Sequence, residues 1–141
     1  MCGLFLSLVK HQLMWKNFLS IVVGLVFGNV GIMLLHKAAS YLYPFPEGMD
    51  QNNMDHIASY LETAPLGAFF MVIIAHLGGT FLGGLGTSLL SKNINTAYIV
   101  GGLFTVFGII NLTMLPHPWW MWAEVLFYVP AAYLGFKIIK R

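Results

Sequence analysis

Four long apolar stretches divide the chain, and short polar connections separate them. Each stretch has the roughly 20 residues that an α-helix needs to cross about 30 Å of hydrocarbon at about 1.5 Å per residue. The pattern therefore predicts an all-α, polytopic membrane protein whose four transmembrane helices form an antiparallel bundle. The predicted spans are, to within a few residues, 18–42, 65–90, 94–115 and 118–139.

The connection between the first two spans carries a helical pattern of its own. Pro44 and Pro46 end the first span in an extended turn. Apolar residues then recur at helical spacing up to Pro65, at Met54, Ile57, Ala58 and Leu61. This spacing predicts a short amphipathic helix on the outer surface of the membrane, with Asn52 or Asn53 as its cap.

The remaining connections are short, and prolines mark them. Spans three and four are joined by little more than His117 between two prolines, which predicts an antiparallel hairpin. Pro130 lies inside span four and removes the hydrogen bond to the carbonyl of Leu126, so a kink or local distortion is expected there. Residues 4–13, ahead of the first span, are interpreted as a short interfacial or helix-extending segment.

Composition and charge agree with a membrane protein and set its predicted orientation. The chain is 58% hydrophobic and 9% charged, which is too little polar surface to coat a water-soluble protein of 141 residues, and it leaves room for one domain only. Six of the seven bases fall on one set of connections, which predicts cytoplasmic N and C termini and a lipid bilayer as the surroundings. Lys37 and four acidic residues fall on the other side, and no basic patch suggests nucleic acid. The six bases are Lys10, Lys16, Lys92, Lys137, Lys140 and Arg141, and the acids are Glu47, Asp50, Asp55 and Glu62.

Small residues recur on each span at helical spacing and predict where the helices touch. Helices in lipid associate by close van der Waals packing, for which small residues are required. Packing within the chain is favoured over a homodimer, although this motif does not distinguish the two. The stripes are Gly24, Gly28 and Gly31; Ala75, Gly79, Gly83 and Thr87; Gly101, Thr105 and Gly108; and Ala131 with Gly135.

Polar residues within the spans are the candidate functional groups. Helical angles place His76 and Glu124 on the inner faces of spans two and four, and Asn111 beside the small stripe of span three. His36 lies on span one, and it and Glu124 are roughly 9 Å below the outer boundary, with Asn111 roughly 6 Å and His76 roughly 16 Å below it. These four residues are predicted to line one outward-opening pocket that binds a ligand. Glu124 carries the strongest signal, because an ionised carboxylate in hydrocarbon is costly unless it is paired or hydrated.

Structural roles compete with each of these assignments. His76 fits a core histidine bonded to Thr80 or to a backbone carbonyl as well as it fits a ligand-binding residue. Asn29 and Asn111 are typical of hydrogen bonds between helices, although Asn111 stays in the candidate site. If a metal is bound, His36, His76 and Glu124 are the ligand types that would hold it, but their spacing matches no metal motif, and the predicted depth of His76 argues against such a site. The sequence leaves open which cofactor, if any, is bound.

Three stretches of the chain resemble a known family. They are residues 75–79 with Gly83 and Gly84, residues 111–120, and the proline-rich acidic loop after span one. Together they look like a family of small bacterial four-span membrane proteins with no assigned activity, over about residues 44–135. The resemblance implies a location in the bacterial inner membrane and nothing about chemistry. The small multidrug-resistance exporters carry their essential glutamate in the first span, where this chain has none.

Three functions are compatible with these features. The leading hypothesis is a binding or transport-related protein, not an enzyme, whose outward-facing pocket takes a proton, a cation or a small polar ligand. The alternative is an accessory or assembly subunit of a larger membrane complex, in which the buried polar groups fix helix register. A metal-dependent intramembrane enzyme is the least favoured, because the chain contains no catalytic motif.

Overall fold

The computed structural model describes residues 2–139, with side chains from Lys10 onward, and within this part all regular secondary structure is helical, with no strand. Five α-helices and one 3₁₀ helix follow one another along the chain. They are α1 (Cys2–Leu42), α2 (Met54–Thr63), α3 (Leu66–Leu90), α4 (Asn95–Met114), the 3₁₀ helix (Trp119–Phe127) and α5 (Tyr128–Ile139).

Four helical segments are long and apolar enough to cross a membrane: Lys10–Leu42, Leu66–Leu90, Asn95–Met114 and Trp119–Ile139. This confirms the four predicted apolar helices, and the last three match the predicted bounds to within one residue. The first begins earlier than predicted, because no proline interrupts the helix between Cys2 and Leu42. Residues 4–13 therefore extend α1, which at about 1.5 Å per residue is roughly 60 Å long, or twice the thickness of the hydrocarbon.

Helix α3 is the central element, because it packs against α1, α4 and α5. A methyl group on Gly28 of α1 would lie 3.1 Å from the carbonyl oxygen of Gly79, and one on Gly24 would lie 2.8 Å from that of Gly83. The pairing order shows that α1 and α3 run antiparallel. Where α3 meets α5, a methyl group on Gly84 would clash with the backbone of Ala132. The small-residue stripes thus mark true helix contacts, as predicted.

The fourth span is not a uniform α-helix. Its first part, Trp119–Phe127, is a 3₁₀ helix, and α-helical geometry begins only at Tyr128, two residues before Pro130. The distortion predicted from Pro130 is thus present. It lies in the turn where the hydrogen bond to the Leu126 carbonyl is missing, because proline has no backbone N–H. Side chains three apart share a face of a 3₁₀ helix, and Met121 and Glu124 are accordingly both buried. On α5 the packing residue is Ala132 rather than the predicted Ala131, because the buried stripe continues from Tyr128 in steps of three or four.

Helix α2 lies between α1 and α3 along the chain and packs on other elements through Leu61. Its N-cap is Asn53, one of the two residues predicted for this role. The side-chain oxygen of Asn53 accepts hydrogen bonds from the backbone N–H of Asp55 at 2.9 Å and of His56 at 3.4 Å. Leu61 anchors α2 in a buried cluster with Phe69, Leu112 and Met121. This cluster brings α2 over the ends of α3 and α4 and over the start of the 3₁₀ helix.

Candidate functional site

The polar residues predicted inside the spans converge from four elements. Helix α1 supplies His36, α3 supplies His76, α4 supplies Asn111, and the 3₁₀ helix supplies Glu124. The rings of His36 and His76 are 5.3 Å apart between centroids and inclined at 70°. His76 Nδ1 lies 3.3 Å from Glu124 Oε1. The structure therefore brings the two most strongly predicted residues into direct contact.

The contact between the two histidines differs from the sequence prediction, which placed His76 about 7 Å deeper than His36. The difference has a geometric reason. Side chains lean toward the N-terminus of their own helix. Because α1 and α3 run antiparallel, His36 and His76 lean toward each other and the offset closes.

Tyr128, which the predicted site left out, completes a buried triad. Its hydroxyl donates a hydrogen bond to Glu124 Oε1 at 3.0 Å and lies 3.3 Å from His76 Nδ1. The side chain is only 1% exposed. The signal in the sequence was the position of Tyr128, four residues after Glu124, which puts both on one helix face. Helix α4 makes room for it, since a methyl group on Gly108 would lie 2.5 Å from the Tyr128 hydroxyl.

The carboxyl group of Glu124 is the least satisfied polar group of this triad. Its side chain is 0% exposed, against 11% for His76. Oε1 contacts both His76 and Tyr128, whereas buried Oε2 has no hydrogen-bond partner among the residues whose side chains are described. A buried carboxyl oxygen left in this state is costly, and more so when it is ionised. Glu124 is therefore the member of the triad whose burial is least compensated by hydrogen bonds.

A cavity of about 320 Å³ opens beside this triad. Its polar lining includes His36, His76, Asn111 and His117, so three of the four predicted residues line it. Glu124 does not, which corrects the prediction of one pocket lined by all four. The carboxyl group instead contacts His76, which does line the cavity. The other lining residues are Ala39, Ser40, Tyr43, Phe45, Gln51, Ile57, Tyr60, Leu61, Ala68, Val72 and Leu115.

A second cavity of about 180 Å³ also borders His76. His76 and Asn111 line both cavities, and Tyr128 lines the smaller one together with Asn29, Ile32, Phe104, Phe107 and Gly108. His76 therefore borders both cavities and also contacts the buried carboxyl group.

Two structural roles expected from the sequence are not observed in the described contacts: a hydrogen bond between helices at Asn29, and a bond from the His76 ring to Thr80 or to a backbone carbonyl. Asn29 donates its hydrogen bond to the Leu25 carbonyl of its own helix at 2.9 Å, so in the described contacts it does not join two helices. The Thr80 hydroxyl donates to the backbone carbonyl of His76 at 2.8 Å and leaves the imidazole to Glu124 and Tyr128. The described residues include no group of three or more His, Cys, Asp or Glu side chains that could hold a metal ion.

His117 lines the larger cavity in the turn between α4 and the 3₁₀ helix, with Nδ1 3.2 Å from the Leu115 carbonyl. Burial lowers its pKa from the ordinary 6.5, and His76 acts in the same direction. The Leu115 carbonyl and Glu124 oppose this change without reversing it. The folded protein therefore holds His117 in its neutral form more firmly than the unfolded chain does.

A pH dependence of stability follows from this shift. The unfolded chain binds more protons than the folded protein as pH falls below about 6.5, so stability is lost in that direction. We expect the His117→Asn variant to lose less stability than the wild type between neutral and mildly acidic pH. Thermal unfolding in lipid nanodiscs at a series of pH values measures this. The same substitution at exposed His11 is the control, and equal slopes for wild type and His117→Asn would contradict the expectation.

Comparisons of the chain with protein-family models, with curated proteins and with solved structures found no match. Fold and site thus define a class: an all-helical protein with four helices long and apolar enough to span a membrane and a buried histidine–glutamate–tyrosine triad beside a cavity. The resemblance to a bacterial four-span family stays a prediction.

Proposed function

We propose that the chain is embedded in the bacterial inner membrane as an antiparallel four-helix bundle, with both termini in the cytoplasm and α2 on the outer surface. The asymmetry of the bases supports this orientation. Large apolar side chains project outward along the long helices, for example Phe70 and Ile74 on α3 and Val106 and Ile110 on α4, and suit a lipid surrounding. In this orientation the larger cavity lies toward the outer leaflet, beneath α2.

Within this frame, we infer that the protein binds a small ligand in the larger cavity and exchanges a proton at the His76–Glu124 pair, as a binding or transport-related protein. One observation carries the inference. A fully buried carboxyl group, with one oxygen unpartnered among the described residues, is bonded to the histidine that lines both cavities.

The chemistry follows from the number of protons that the pair can hold. With one proton, the pair is either an imidazolium and a carboxylate or a neutral imidazole and a carboxylic acid. A second proton or the loss of the first leaves a net charge in a poorly solvated place, which is costly. A charge or water molecule arriving in either cavity changes that cost at His76. Occupancy of the cavity and protonation of the pair are therefore coupled.

Infrared difference spectroscopy of the protein in lipid tests this function. Spectra are recorded between neutral and acidic buffers, in water and in heavy water. We expect a carboxyl C=O band that responds to pH and shifts in heavy water, and that disappears in Glu124→Gln. The matched control is Glu62→Gln, which removes an exposed carboxylate from α2 and should leave the band in place.

The opposite result is equally informative. If no band assignable to Glu124 responds to pH or to isotope exchange, the carboxyl group is sealed and the triad is a structural contact. The proposal of proton exchange would then be wrong. The accessory-subunit hypothesis, in which buried polar groups fix helix register, would take its place.

A further inference from the structure

We propose that the ligand of the larger cavity is a small organic cation, namely a protonated or quaternary amine that carries an apolar group. This inference rests on the proposed function and names its ligand class. Three observations carry it: the charges around the cavity, the aromatic residues in its wall, and the absence of a metal-ligating group among the described residues.

Charge favours a cation over an anion. Of the described residues, none that lines the cavity is a lysine or an arginine. The segment that covers the cavity, residues 43–65, carries four carboxylates, and Lys37 is the nearest base in sequence on that side. Glu124 adds a carboxyl group in contact with His76. Charge of one sign around a cleft concentrates ligands of the opposite sign, and the segment that covers this cavity carries an excess of negative charge.

The wall of the cavity suits an organic rather than an inorganic cation. Tyr43, Phe45 and Tyr60 line it, and the rings of Phe45 and Tyr60 stack with centroids 4.4 Å apart. Aromatic faces attract ammonium groups, and quaternary amines most characteristically. Ala68 and Val72 offer an apolar surface to the rest of such a ligand. A bare metal ion would need several converging ligands, and the described residues contain no group of three or more His, Cys, Asp or Glu side chains that could supply them.

Binding of the cation would displace a proton. An ammonium group next to His76 repels an imidazolium, so it favours the state in which His76 is neutral and Glu124 remains ionised. The cation enters the cavity and one proton leaves the pair, which keeps the net charge of the site constant. No other reactant is needed.

Isothermal titration calorimetry on the protein in nanodiscs tests the ligand class with three probes of similar shape: benzyltrimethylammonium, benzyl alcohol and benzoate. We expect the cation to bind about tenfold or more tightly than the neutral and anionic probes. Its apparent enthalpy should depend on the ionisation enthalpy of the buffer, because a proton is released. Its affinity should fall as pH is lowered. Empty nanodiscs correct for partitioning into lipid.

Variants locate the binding. Tyr60→Leu removes an aromatic face and should weaken the cation about threefold to tenfold while leaving the infrared response of Glu124 intact. Glu124→Gln should abolish proton release and weaken the cation about tenfold, whereas Glu62→Gln should change affinity by less than about twofold. Equal or tighter binding of benzoate, or no binding of any probe above empty nanodiscs, overturns the cation site even if Glu124 responds to pH. Tight cation binding with no proton release and no response to Glu124→Gln supports the cation site but contradicts the proposed proton exchange.

Discussion

The Glu124→Leu variant is expected to be as stable as the wild-type protein or more stable, to within about 1 kcal/mol on the unfavourable side. Leucine removes a buried carboxyl group whose Oε2 has no hydrogen-bond partner among the described residues. The partners that remain are satisfied, because the Tyr128 hydroxyl lies 3.3 Å from His76 Nδ1 and the two can bond to each other. A neutral His76 then leaves no charge in the interior.

His76→Leu is the matched counterpart and should behave differently. It leaves Glu124 buried with Tyr128 as its remaining described partner, so it should cost about 3 kcal/mol, as is typical when one member of a buried pair is removed. Unfolding of both variants in mixed micelles with increasing dodecyl sulfate, followed by circular dichroism, gives the two free energies. Equal and large losses would mean that Glu124 is kept for stability, whereas the predicted asymmetry means that it is kept for function.

The Gly84→Ala variant is expected to lose about 1–3 kcal/mol of stability, the range typical of overpacked contacts. The added methyl group would run into the backbone carbonyl of Ala132, where α3 meets α5. Because the obstacle is backbone rather than a flexible side chain, relief requires the two helices to move apart. That movement also displaces Tyr128, one turn before Ala132 on the same helix. The same unfolding titration measures the loss.

Gly102→Ala provides the control for helix propensity. A methyl group there meets nothing within 4 Å, so the substitution changes only the intrinsic preference of the residue for a helix. We expect this variant to be unchanged or slightly stabilised. If Gly84→Ala were as stable as Gly102→Ala, α3 and α5 could not lie as close together as the structure shows. The placement of the triad, which depends on that contact, would then also be wrong.

Much of this fold was predictable from sequence because lipid imposes simple rules on a chain. Length and hydropathy located the helices, and glycines such as Gly28 and Gly79 identified the faces that touch. Helical angles also placed His76 and Glu124 on inner faces. These properties depend on the sequence of each helix alone and not on the arrangement of its neighbours.

The assembly of the site was not predictable, because it depends on how helices are arranged around one another. The short connections left open whether His76 and Glu124 touch, and the structure places them 3.3 Å apart. Depth counted along the helix axes separated His36 from His76, but it left out the lean of the two side chains, which brings their rings together. Tyr128 went unrecognised because a tyrosine in an apolar span is ordinary until its partners are known.

Nitrogen-15 NMR of His76 in lipid tests most directly whether the triad is a proton-exchanging site. Protein labelled at histidine is studied in bilayers, and His76→Asn assigns the signals. If the pair exchanges a proton, the Nδ1 and Nε2 signals of His76 respond reversibly to bulk pH in the wild type, and that response changes in Glu124→Gln but not in Glu62→Gln. Signals of His76 that stay constant over the whole pH range, or that respond identically with and without the Glu124 carboxyl group, would contradict it.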